Sequence, residues 1–258
     1  MLVSAVVNGG AQQRLRFVRA YWVTLVVVCS YSWTRLVGVV RGEQYVLRTL
    51  SRKHVLNARR IQRAIVRLQG LFIKVGQTFS ILTNFLPPEF RKELEGLQDS
   101  VPPRPFAAIA KRFREDFGRD PLDVFAEFDE TPLAAASISQ VHLATTHDGD
   151  RVAVKVQYPD VDRMVRSDLK TFRRILKVIG LFFPAHGLEL VHNEVSQMVL
   201  AELDFTAEAN SIEVIGKHLA ADPIDGVAVP VVFHELSTRR ILTTGFVPGV
   251  NISNVERL

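Results

Sequence analysis

Lys155 sits inside Arg151-Val152-Ala153-Val154-Lys155-Val156, an apolar alternating run of the kind that forms a strand. A lysine among such neighbours needs an anionic partner if it is buried. Upstream, Ala134-Ala135-Ala136-Ser137-Ile138-Ser139-Gln140-Val141 keeps the spacing of a phosphate-covering G-x-G-x-x-G-x-V loop, with Ala134, Ala136 and Ser139 in place of its glycines. Glycine lets backbone amides come close to a phosphate and reach positive φ. Alanine and serine narrow both freedoms. The loop is therefore expected to cover a nucleotide while setting its phosphates differently, so that transfer to a protein substrate is poor.

Two further pairs carry polar chemistry. Lys74 and Gln77 are three residues apart in a helical pattern and share one face, with Gly76 between them permitting close approach of another backbone. Glu202 and Asp204 are two apart; on a regular helix they diverge by about 200° and could not grip one ion together. No metal ligand is assigned, because the histidines show no ligand spacing. The single cysteine, Cys29, excludes an internal disulfide and a cysteine-based zinc site. Asp116-Phe117-Gly118 spells the metal-binding triplet D-F-G, but it closes a helical pattern from Phe106, where Gly118 reads as a C-terminal helix cap.

Taken together these segments resemble the UbiB/AarF family of atypical kinase-like proteins. Lys74-Val75-Gly76-Gln77 fits the K-x-G-Q signature, followed by Leu86-Pro87-Pro88-Glu89-Phe90, and Glu202-Leu203-Asp204 fits E-x-D. Glu208 falls where the family's αC glutamate belongs. The resemblance covers about Arg48 to Leu258. It implies a nucleotide site in which Lys155 meets the phosphates, Glu208 orients Lys155, and Ala134, Ala135, Ala136, Ser137 and Ser139 cover the nucleotide. It also implies that Lys74, Gln77, Glu202 and Asp204 occlude and tune that site. The implied cofactor is ATP or ADP with Mg²⁺, and the implied role is ATP binding and hydrolysis supporting ubiquinone-type isoprenoid-lipid metabolism at a membrane. The implied location is membrane-associated, in the bacterial inner membrane, with the mitochondrion as the alternative.

Charge is unevenly placed. Residues 1–70 hold twelve Arg/Lys against one acid, Glu43, and carry +11, whereas the remainder carries −6 of the whole chain's +5. A basic arm on a mildly acidic body suits an anionic partner. The arm interleaves its arginines with Trp22, Leu25, Val26, Val27, Trp33, Leu36 and Val40, which is too apolar for a nucleic-acid tail and fits a membrane surface; an isoprenoid lipid as partner is what the family resemblance implies. Residues 21–40 have the length of a bilayer span but include Ser30, Ser32, Thr34 and Arg35, so a spanning and an interfacial helix both stay open. Residues 1–20, arginine-bearing and acid-free, are also compatible with a transit peptide.

These groups must be positioned by elements that the pattern outlines. Residues 1–13 are expected to be irregular, because Asn8-Gly9-Gly10 breaks the periodicity. A helix is expected from Arg14 to Arg41, and a long amphipathic one from Ser51, with Ile61, Ile65, Leu68, Phe72, Val75, Phe79 and Leu82 at steps of three and four. Shorter helices are expected over 89–98 and 106–117. Strands at 138–145 and 151–157 flank the turn His147-Asp148-Gly149-Asp150. Helices over 161–182 and 188–219 and strands over 227–233 and 239–246 complete the order. The fold class is α+β: a kinase-like N-lobe, with a small antiparallel sheet and an αC-type helix, behind a helical extension. The expected domains are a membrane-proximal arm over 1–50, the K-x-G-Q extension over 51–130, and the N-lobe up to the hinge over 131–258. The catalytic C-lobe, with its metal-binding and catalytic-loop residues, is expected to lie outside this sequence or on a second polypeptide. The 258 residues alone should then turn over no ATP. The other readings are a lobe-less pseudokinase that binds a membrane or a partner, and a fragment of a longer gene.

Overall fold

The computed structural model describes residues 2–68, 72, 87–95, 102–182 and 187–249. Two compact units emerge, Met1–Val101 with Asp162–Val199, and Pro102–Val161 with Leu200–Leu258.

The first unit is helical. Helix α1 (Leu2–Arg41) turns back at Gly42, whose φ of 84° only glycine adopts readily, into α2 (Glu43–Leu68). The turn brings the helices so close that a Cβ on Gly38 would lie 2.2 Å from Val46 Cγ2. Helix α1 runs unbroken through Asn8-Gly9-Gly10, where irregular chain is expected. Glycine inside a helix costs about 1 kcal/mol and does not forbid the helix. Two further helices of this unit are α3 (Pro88–Glu95) and α6 (Val161–Phe182); α7 (Leu188–Ala201) follows. Ala20, Ile65, Leu68, Phe72 and Leu94 form its core, with Ile61 and Ile175 packed on them. Polar contacts also tie α1 to α2: the Tyr31 hydroxyl meets His54 Nδ1 at 2.8 Å, and buried Asn57 donates to Ser30 Oγ.

The second unit is built on an antiparallel sheet. Its strands are β1 (Glu127–Phe128), β2 (Ala134–Ala135), β3 (Ser139–Thr145), β4 (Arg151–Gln157) and β5 (Ile241–Gly245), in the order β1-β3-β4-β5, with β2 also pairing with β3. The β3–β4 hairpin turns at Thr146–Asp150 around Gly149, at φ 92°. Alternation sorts the side chains between two faces. Val152, Val154 and Val156 point to one side and are fully buried. On that side helix α4 (Phe106–Phe117) and the short α5 (Pro121–Val124) join an aromatic cluster in which Phe113, Phe125, Phe128 and His142 meet edge to face or tilted. Helix α8 (Phe205–Ala221) packs Phe205 and Ala209 against Leu242. This is the expected N-lobe-like class, a small antiparallel sheet with helices.

Three local departures have physical causes. Helices α7 and α8 are separate, broken at Glu202-Leu203-Asp204, where a single helix over 188–219 is expected. Residues 227–233 make only an isolated bridge, Val232 to Thr244, since Pro230 lacks the N–H that a strand ladder needs. Strands β1 and β2 are two residues long, too short to show any period in the sequence.

Candidate functional site

Lys155 projects from β4 on the face opposite the buried valines. Across the β3–β4 register its neighbours on that face are Val141 and Leu143, and two residues back is Ala153. All three are half-buried rather than sealed. Lys155 Nζ lies 2.7 Å from both carboxylate oxygens of Glu208 and 4.7 Å from the centroid of the Phe205 ring. The two side chains are 31% and 42% exposed. At that exposure an ion pair contributes at most about 1 kcal/mol to folding. Stability therefore does not account for a pair held this squarely on an open apolar face, and either partner can be exchanged for a ligand at little cost.

Glu208 reaches Lys155 because α8 starts where it does. Asp204 caps α8, accepting from the Thr206 amide at 3.0 Å and from the Thr206 hydroxyl at 2.5 Å. That hydroxyl, with Arg239 nearby, holds the Asp204 carboxyl below its usual range. Arg239 Nε is 3.2 Å from the second Asp204 oxygen. Glu208 then falls in the first turn of α8, where the amide dipoles favour a negative charge. Glu202 lies in the turn just before, so the helical divergence expected of Glu202 and Asp204 does not apply: they flank a helix start instead of sharing one helix.

The alanine segment forms a tight antiparallel return. Ala134 pairs with Val141 and Ala135 with Gln140. The Ala136 amide donates to Ser139 O at 2.8 Å, and Leu133 N donates to Val141 O at 2.8 Å. Among the described non-glycine residues, only Asp160 has positive φ. The loop thus closes with ordinary backbone angles, and the Ala136 amide, which a glycine loop could aim at a phosphate, is spent within the loop. Ser137 sits at its tip, and Ser139 is buried at its base. Lys74 and Gln77 lie outside the described residues.

Gln157 escapes the sequence reading. It follows Lys155 by two, so alternation places it on the same side of β4, opposite Ser139. It is fully buried, and neither its amide nitrogen nor its amide oxygen has a hydrogen-bond partner. The signal is the period of two itself, which gives the side of the strand but not that a polar side chain at its end is buried.

The described residues suit anionic phosphates better than a metal. Lys155 offers a cation on an open face, with small apolar neighbours on which a flat ring could lie. Among the described residues no group of three or more His, Cys, Asp or Glu side chains could hold a metal ion. The nearby carboxylates are committed, Glu208 to Lys155 and Asp204 to Thr206 and Arg239. Gly118, at φ 69°, donates its amide to Arg114 O and terminates α4, so Asp116-Phe117-Gly118 is a helix end and not a metal loop.

A model of the ABC1 atypical kinase-like domain matches residues 96–258. AarF domain-containing protein kinase 1 of Xenopus laevis is 33% identical over 242 residues, which cover 94% of this chain and 46% of that protein. A probable serine/threonine-protein kinase of Dictyostelium discoideum, abkD, is 38% identical over 189 residues, covering 73% of this chain and 27% of its own length. The solved complex of Rv3197 with erythromycin from Mycobacterium tuberculosis superposes with a TM-score of 0.51 at 32% identity, over 74% of this chain and 48% of that one. The chain spans less than half the length of each of these relatives.

Proposed function

We propose a function from one premise: this chain belongs to the ABC1 atypical kinase-like family. Its sheet unit binds the phosphates of an adenine nucleotide through Lys155, oriented by Glu208, beneath the cover formed by residues 134–139. The purine lies against Val141, Leu143 and Ala153. The observation that carries this is the 2.7 Å bidentate pair on an open, apolar face. When phosphate oxygens arrive, Lys155 shares its protons between them and Glu208. The self-bonded loop shields the site from water without supplying the amide cradle of a glycine loop. Glu202 and Asp204, and Lys74 and Gln77 of the K-x-G-Q segment, tune and occlude the site. Mg²⁺ in the whole protein supplies charge neutralisation of the phosphates when bound, with ligands drawn from outside the described residues.

In the whole protein this site serves an atypical kinase or ATPase acting in isoprenoid-lipid, ubiquinone-type metabolism at a membrane. Support for the membrane comes from the helical unit. Residues Phe17–Arg41 of α1 are long and apolar enough to cross a bilayer by length and composition. Val18, Trp22, Leu25, Trp33, Leu36 and Val40 recur at helical steps and are exposed. Helix α6 adds exposed Arg163, Arg166, Lys170, Arg174 and Lys177 along one face. An apolar stripe together with cationic ones favours an anionic lipid surface over water.

The test is equilibrium binding of a fluorescent ADP analogue to the 258-residue chain and to Lys155→Ala. Saturable binding lost in the variant supports the site; equal binding by both, or none by the parent, refutes it. The chain itself is expected to show no magnesium-dependent ATP turnover.

A further inference from the structure

The Asp-Phe-Gly triplet ends a helix, yet its aspartate is far from idle. The Asp116 side chain is 3% exposed, and three groups converge on it. Arg240 places Nη2 2.5 Å from Oδ1 and Nε 3.3 Å from Oδ2, and the Thr238 hydroxyl donates to Oδ2 at 2.6 Å. Arg112 Nη1 stands 3.8 Å from Oδ1. Thr238 in turn accepts from the amides of Arg240 and Ile241 at 3.1 and 3.0 Å. One buried carboxylate thus fixes both the side chains and the backbone of the 238–240 turn.

That turn holds the two elements of the candidate site. The Arg240 carbonyl accepts from Gln157 N at 3.0 Å, at the end of β4 and two residues beyond Lys155. The Arg239 carbonyl accepts from Phe205 N at 3.0 Å, at the first residue of α8 and three before Glu208. Arg112, beside Asp116 on α4, grips the same strand end, donating to the carbonyls of Gln157 and Tyr158 at 3.1 and 2.8 Å. Lys155 and Glu208 are 53 residues apart in sequence, and their backbones are joined by adjacent carbonyls of a single turn.

We propose that Asp116 is a positioning residue for the Lys155–Glu208 pair, acting through the Thr238–Arg240 turn from which both members hang. It touches neither of them. This rests on the nucleotide-site reading only for its consequence, because the geometry it sets exists without nucleotide.

The experiment follows the pair directly. Acylation of Lys155 by a water-soluble active ester is timed by peptide mass spectrometry in the 258-residue parent, Asp116→Asn, Thr238→Val and Glu208→Gln. Exposed Lys111 is the internal standard, and circular dichroism confirms folding. Asp116→Asn keeps shape and loses charge; Thr238→Val removes one hydroxyl and is the variant that decides if Asp116→Asn does not fold. The expected result is that Lys155 labelling rises several-fold in Asp116→Asn, toward the Glu208→Gln rate, and less in Thr238→Val, with Lys111 unchanged. Parental Lys155 labelling in the folded variants overturns the proposal. Binding of the fluorescent ADP analogue is measured beside it. If the parent binds no nucleotide while Lys155 labelling still responds, the positioning role stands and the nucleotide reading falls.

Discussion

The sheet unit holds two carboxylate–cation contacts of opposite design. Asp116 is nearly sealed, shared among two arginines and a threonine, while Glu208 is 42% exposed and faces one lysine. A buried carboxylate that loses its partners leaves uncompensated charge behind, whereas a half-exposed one falls back on water. The first contact holds architecture and tolerates no substitution cheaply. The second is nearly dispensable to the fold, which leaves it free to be reorganised by a ligand.

Substitutions can break or sharpen that contrast. The largest effect is expected from Asp116→Ala, which removes the acceptor of the Thr238 hydroxyl and the partner of Arg240 while Arg112 keeps Glu115 at 2.7 Å, and should lower unfolding stability by about 2 kcal/mol in urea titrations. A loss no larger than that of Glu208→Gln would erase the distinction. Next comes Gly118→Ala, at φ 69° one residue past the helix that carries Asp116, expected to cost about 1 kcal/mol by the same measurement.

The pH dependence should be milder and belongs to the buried side. His142 Nδ1 faces the Asp129 carbonyl at 2.7 Å and Nε2 faces the Gln140 amide nitrogen at 2.9 Å, which assigns the proton to Nδ1 and leaves the ring neutral. Burial pushes its pKa below the usual 6.5. The unfolded chain therefore takes up a proton first as pH falls, so this contribution is complete above 6.5 and is lost as pH drops below it. Stability measured from pH 7.5 to 5 should decline in the parent and decline less in His142→Gln. The smallest effect on folding is expected from Glu208→Gln, within about 1 kcal/mol of the parent, although it should weaken binding of the fluorescent ADP analogue.

The same contrast explains what the sequence disclosed. The strand that carries Lys155 was legible because it alternates over seven residues, and α4 because its apolar face and Gly118 cap agree. The kinase-like class of fold followed only when the family resemblance was joined to those patterns. The break between α7 and α8 was hidden by Val195, Val199 and Leu203, buried residues whose steps of four mimic one continuous helix. Only Asp204, read as a helix cap ahead of Phe205-Thr206, could have exposed it. Asp116 was the harder case. Its partners Thr238 and Arg240 lie 122 and 124 residues away, and no local period reports such a meeting. The triplet it belongs to pointed toward metal chemistry that its surroundings do not allow.

The alanine return, closed by Leu133 to Val141 and Ala136 to Ser139 hydrogen bonds, carries a consequence in time rather than in space. A glycine loop flickers residue by residue; a hairpin bonded to itself opens as one piece. The amides of Leu133 and Ala136 should then exchange with solvent deuterium at a common opening rate, and whatever lies beneath them would leave at intervals set by that single event.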